Sequence, residues 1–93
     1  MLVYFAWIFK YPLIGVSFLN KHVNKFHHLA LNISYYRKKQ GLTQMQLAEK
    51  LGISRQHISN IEAPNVTVSF SMTLLFDIAD ALNVEPELFF NFK

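Results

Sequence analysis

The sequence predicts an all-α fold of five short helices behind an apolar N-terminal extension, and three observations predict it. From Leu29 onward apolar residues recur at three- and four-residue intervals, as the buried stripe of a helix requires. Helix-stopping and helix-starting residues alternate along the chain: Gly41 before Thr43, Gly52 before Ser54, Asn83 before Pro86. No segment alternates as a half-buried strand does; VTVSF at 66–70 comes nearest and reads as an extended loop.

The first helix is expected over Leu29–Gln40, carried by Leu29, Ile33, Tyr36 and Gln40 and ended by Gly41 in a left-handed conformation. Thr43 caps the second and pairs with Gln46 three residues on, the spacing of a capping box. Leu47, Ala48 and Leu51 form its apolar stripe, and Gly52 stops it. Gly52 is expected because a side chain there would clash or strain the backbone. Ser54 caps a third helix over Arg55–Glu62 with Ile58 and Ile61 inward. Pro64 and Asn65 open a loop that lasts to about Phe70. Ser71 caps a fourth helix with Leu74, Leu75, Ile78, Ala79 and Leu82 on one face. Asn83 closes it, and Pro86 opens a short fifth helix carrying Leu88 and Phe89.

With 93 residues there is room for one domain. The hydrophobic share of 52% against 16% charged residues excludes a disordered chain, and the lack of cysteine excludes a disulfide framework or a thiol nucleophile. Lys10, Lys21 and Lys25 supply the whole formal charge of +3. Beyond them the signs cancel but segregate. Arg37, Lys38, Lys39, Lys50 and Arg55 face only Glu49 in the front half, whereas Glu62, Asp77, Asp80, Glu85 and Glu87 dominate the back. A basic front half suits a module that lays one side on phosphate.

Residues 1–19 are strongly apolar but carry Lys10 and Pro12 mid-stretch, which argues against a membrane-spanning helix. A basic leader and a small-residue cleavage site are both missing, so a secretory signal fits poorly. A weak anchor, an extra covering helix and an upstream stretch ahead of a later start remain, and the last is favoured. Val23, Leu29 and Leu31 are the candidate starts, and a chain from near Leu29 is expected to fold and bind as the full one does. Residues 20–28 read as a polar bridge whose His22, His27 and His28 are solvated. The division expected is therefore 1–28 as extension and 29–93 as the working domain.

Two short helices joined around a glycine, the second with a polar outer face, make a helix-turn-helix pattern. The run YYRKKQGLTQMQLAEKLGISRQHISNIE resembles the helix-turn-helix of the Xre/phage-repressor/Cro family, and LLFDIADALNVEPELF resembles that family's closing helices. The resemblance covers about Leu29 to Phe90 and implies a five-helix, lambda-repressor-like domain that binds double-stranded DNA.

It also implies roles, residue by residue. Arg37 matches the arginine that pairs with a glutamate ending the third helix, here Glu62. Gln44 matches the glutamine that meets a phosphate at the start of the second helix. Ser54, Arg55, Gln56, Ser59 and Asn60 occupy positions turned toward base edges. Their chemistry suits base readout, since Arg reads guanine while Gln and Asn read adenine. Lys38 and Lys39 are expected at phosphates, and His57 is not counted among the readers. After the third helix the family often has a glycine and a basic loop. Here the chain reads Ala63-Pro64-Asn65-Val66-Thr67, so phosphate binding by that loop falls to Asn65.

No phosphate loop, nucleophile motif or metal-spaced cluster suggests an enzyme, and neither cofactor nor metal is expected. The reading is a cytoplasmic transcriptional repressor that binds a pseudo-palindromic operator as a homodimer, with the C-terminal Phe89, Phe90, Asn91 and Phe92 as the candidate dimer surface. An antitoxin with a protein toxin as second partner, and an interaction module without DNA binding, are the alternatives. A membrane partner is not expected.

Overall fold

Each helix from the second onward begins where an orphan amide can be satisfied or is absent, and three of the helices end where the backbone turns left-handed. The computed structural model describes residues 22–63 and 71–92, and among these the order is α1 (Val23–Lys39), α2 (Gln44–Leu51), α3 (Arg55–Glu62), α4 (Met72–Leu82) and a 3-10 helix (Pro86–Phe90). Thr43 Oγ1 accepts from the Gln46 amide at 3.0 Å while Gln46 Oε1 accepts from the Thr43 amide at 2.8 Å, a complete capping box. Ser54 and Ser71 accept in the same way from the amides of His57 and Leu74.

The three turns out of α1, α2 and α4 share one geometry. Gly41, Gly52 and Asn83 have positive φ, at 75°, 70° and 56°. In each case the next residue donates to the carbonyl five positions back: Leu42 to Arg37, Ile53 to Ala48, Val84 to Ala79. These are Schellman motifs, and the apolar residue that follows each turn packs on the core. At Gly52 an added Cβ would meet nothing within 4 Å. The clash expected there does not exist; the glycine is needed for its backbone conformation alone.

α1 packs against α3, α4 and the 3-10 helix, while α2 packs against α3 and α4. Their inward faces converge on one core of Leu29, Ile33, Leu47, Ala48, Ile58, Ile61, Leu75, Ile78, Ala79, Leu82 and Phe89. Phe89 is the largest of the fully buried side chains, so the 3-10 helix closes the core from the C-terminal side.

Two further expectations need correction. First, α1 begins at Val23, six residues before Leu29, so the supposed polar bridge is helical over most of its length. Phe26 packs against the core one turn before Leu29, and that tertiary contact extends a helix whose local sequence is polar. His27 and His28 are thus helix residues, and His28 stacks on Phe92 with ring centroids 5.7 Å apart. Second, there are four α-helices and not five among the described residues. The last element is a 3-10 helix, because Pro86 starts it and only five residues separate Glu85 from Asn91.

The expectations for residues 1–21 and for residues 64–70, Asn65 included, lie outside the described residues. Among those that are described, no helix is long and apolar enough to cross a membrane, and no group of three acidic, cysteine or histidine side chains could hold a metal ion.

Candidate nucleic-acid interface

The recognition surface is built on a short helix that can bury only one stripe. In α3, Ile58 and Ile61 face the core, which leaves Arg55 and Gln56 exposed in the first turn and Ser59 and Asn60 partly exposed in the second. Residues at i, i+1, i+4 and i+5 share a face, so these four side chains stand together. Ser54 precedes them, exposed, with its hydroxyl occupied by the His57 amide at 3.1 Å.

Neither α2 nor α3 has an acidic residue in its first turn. The partial positive charge at both helix starts is therefore not neutralised from within the helix, which favours an anion there. The two starts are neighbours: Arg55 Nη1 donates to Gln44 Oε1 at 3.1 Å.

Gln44 leads into the core through a second bond. Its Nε2 donates to Glu62 Oε1 at 3.1 Å, and Glu62 in turn is gripped by Arg37. Arg37 Nε donates to Glu62 Oε2 at 2.7 Å and Nη2 to Oε1 at 3.0 Å. Its Nη1 donates to the Leu42 carbonyl at 2.6 Å, in the turn leaving α1. Side-chain exposure is 9% for Arg37 and 5% for Glu62, so this is a buried, two-pronged ion pair. It ties the end of α1, the turn before α2 and the end of α3 to one another. A chain of bonds runs from the buried pair through Gln44 to Arg55 on the outer face.

Gln56 and Asn60 are also coupled, Gln56 Nε2 donating to Asn60 Oδ1 at 2.9 Å across one helical turn. The pair keeps an acceptor on Gln56 and donors on Asn60, the combination that an adenine edge requires. Arg55 uses one of its five N–H donors on Gln44, and the others remain for a base or a phosphate. Lys38 and Lys39 are exposed at the end of α1, with Lys39 Nζ 5.9 Å from the ring centroids of both Tyr35 and Tyr36.

Sequence reasoning had no means of finding Asn32. Its Nδ2 donates to the carbonyls of Phe89 and Asn91, at 2.8 and 3.0 Å, and so clasps the C-terminal segment onto α1. Nothing in the residues around it signals that role.

A domain of this architecture, with a short polar-faced helix set by a glycine turn against a second one, is a helix-turn-helix domain of the DNA-binding class. The Helix-turn-helix family model matches residues 33–89, more than half of the chain, and the protein belongs to this Xre-type family. No curated protein matches the chain.

Proposed function

We propose that the protein is a sequence-specific transcriptional repressor that seats α3 in the major groove of a pseudo-palindromic operator as a homodimer. The single observation that carries this is the outer face of α3. Arg55, Gln56, Ser59 and Asn60 stand together at a helix start free of acids, on a frame held by a buried ion pair. Arg55 and the Gln56–Asn60 pair supply guanine- and adenine-type contacts. Gln44, at the start of α2, supplies its backbone amide to a phosphate, because its side chain is engaged by Glu62 and Arg55. Lys38, Lys39 and, following α3 in the sequence, Asn65 complete the phosphate contacts. A protein of this size seated on a promoter represses by occupying it, and the site of action is the cytoplasm.

Selection of bound duplexes from a random pool tests the proposal. It should return two inverted half-sites with centres about one helical turn, 34–36 Å, apart. A pool that stays random through successive rounds would overturn sequence-specific binding.

A further inference from the structure

The hydrogen bond between Gln56 and Asn60 has a direction, and the direction decides what the outer face of α3 offers a base. Gln56 is exposed, and its long side chain ends in an amide that can present either its oxygen or its nitrogen outward. Asn60 is shorter and partly buried, one helical turn further on. Gln56 Nε2 donates to Asn60 Oδ1 at 2.9 Å, so the nitrogen end of the Gln56 amide is committed to Asn60. Oε1 and the second N–H of Gln56 are left for a base edge. Glutamine pairs with asparagine or aspartate at this spacing even in isolated helices, so the hold exists before DNA arrives.

We infer that Asn60 is a positioning residue: it fixes the direction of the Gln56 amide and so makes one base pair of the bound site selective for adenine over guanine. The inference rests on the reading of α3 proposed above and divides the roles within it. In the major groove adenine offers an amino donor at N6 beside the acceptor N7, whereas guanine offers two acceptors, O6 and N7. The amide held by Asn60 answers adenine, since N6 donates to Oε1 and N7 accepts the free N–H of Gln56. Set against guanine, the same amide brings Oε1 onto O6, acceptor against acceptor. A Gln56 free to turn its amide over meets O6 with its nitrogen instead, and the discrimination is lost. Asn60 exerts this control through its oxygen alone. A carboxylate at position 60 therefore does the same, and a methyl group does not.

The test uses the full chain and its Gln56→Ala, Asn60→Ala and Asn60→Asp variants. Each is titrated against duplexes in which every position of a site selected by the unaltered chain is changed in turn to the other base pairs. Gln56→Ala locates the position that Gln56 reads, as the one whose preference disappears. There the unaltered chain should favour adenine over guanine about tenfold or more. Asn60→Ala should remove most of that preference. Asn60→Asp should restore it, with affinity lowered on all sequences because a carboxylate is brought toward phosphate. An adenine preference that survives Asn60→Ala, or one lost equally in Asn60→Ala and Asn60→Asp, overturns the inference and leaves Gln56 as a reader in its own right. So does a change under Asn60→Ala confined to some other base pair, because Asn60 then reads a base itself. If no site is selected, or Gln56→Ala alters no position of it, the reading of α3 fails and the inference falls with it.

Discussion

Replacing Glu62 by alanine removes both acceptors of the Arg37 fork and leaves a guanidinium with 9% side-chain exposure facing one carbonyl, that of Leu42. An exposed ion pair is worth about 0–1 kcal/mol. Breaking a buried one by removing a single partner costs about 3–5 kcal/mol, because the other charge stays desolvated. The surviving 2.6 Å bond to Leu42 puts the expected loss near the lower end, about 3 kcal/mol. For a domain of this size that lowers the melting temperature by about 12–24 °C. Replacing Arg37 by methionine and Glu62 by leucine together removes both charges and should recover much of the loss. Thermal melts of the two singles and the double, read as a double-mutant cycle, provide the assay. The reasoning is refuted if Glu62→Ala melts within about 2 °C of the unaltered chain, or if the two single losses simply add.

Gly52→Ala should cost about 1–2 kcal/mol in a denaturant titration, entirely from the backbone, since the added methyl meets no neighbour. Asn83→Gly at the equivalent turn of α4 should be neutral or slightly stabilising by the same measurement. Asn32→Ala removes two bonds to the C-terminal segment and should speed hydrogen exchange in residues 86–92 while leaving α2 and α3 unchanged. A chain starting at Leu31 loses Phe26, Leu29 and Ala30, and should be about 3–5 kcal/mol less stable in urea than one starting at Val23.

Most of the fold is readable because its punctuation is local. Thr43 with Gln46, Gly52 with Ser54, and Asn83 with Pro86 each act within a few residues, and α2, α3 and α4 have the bounds these pairs imply. The start of α1 is not readable in that way. Between His22 and His28 only Val23 and Phe26 are apolar, and Val23 is 39% exposed, so the helix depends on where Phe26 packs. A domain read from Leu29 therefore omits a turn and a half of α1 that carries core contacts.

The interface divides along the same line. Which residues of α3 face outward follows from Ile58 and Ile61 alone. What Gln44 does with its side chain does not, because its partners Arg55 and Glu62 lie 11 and 18 residues away and meet it only in the folded domain. The C-terminal aromatics show both cases. A small core has room for one of them, and Phe89 takes it, while Phe90 and Phe92 remain at the surface.

The central claim is that the outer face of α3 reads base pairs, and a binding titration of the Arg55→Ala and Gln44→Ala variants against selected and scrambled duplexes tests it most directly. Arg55→Ala should weaken the selected site by about 1–3 kcal/mol, relax preference at one base pair and leave scrambled DNA nearly unaffected. Gln44→Ala keeps the backbone amide offered to a phosphate but cuts the bond that ties the start of α2 to Glu62 at the end of α3, and by loosening that frame should weaken both duplexes alike. Equal losses on selected and scrambled DNA for Arg55→Ala would contradict the account.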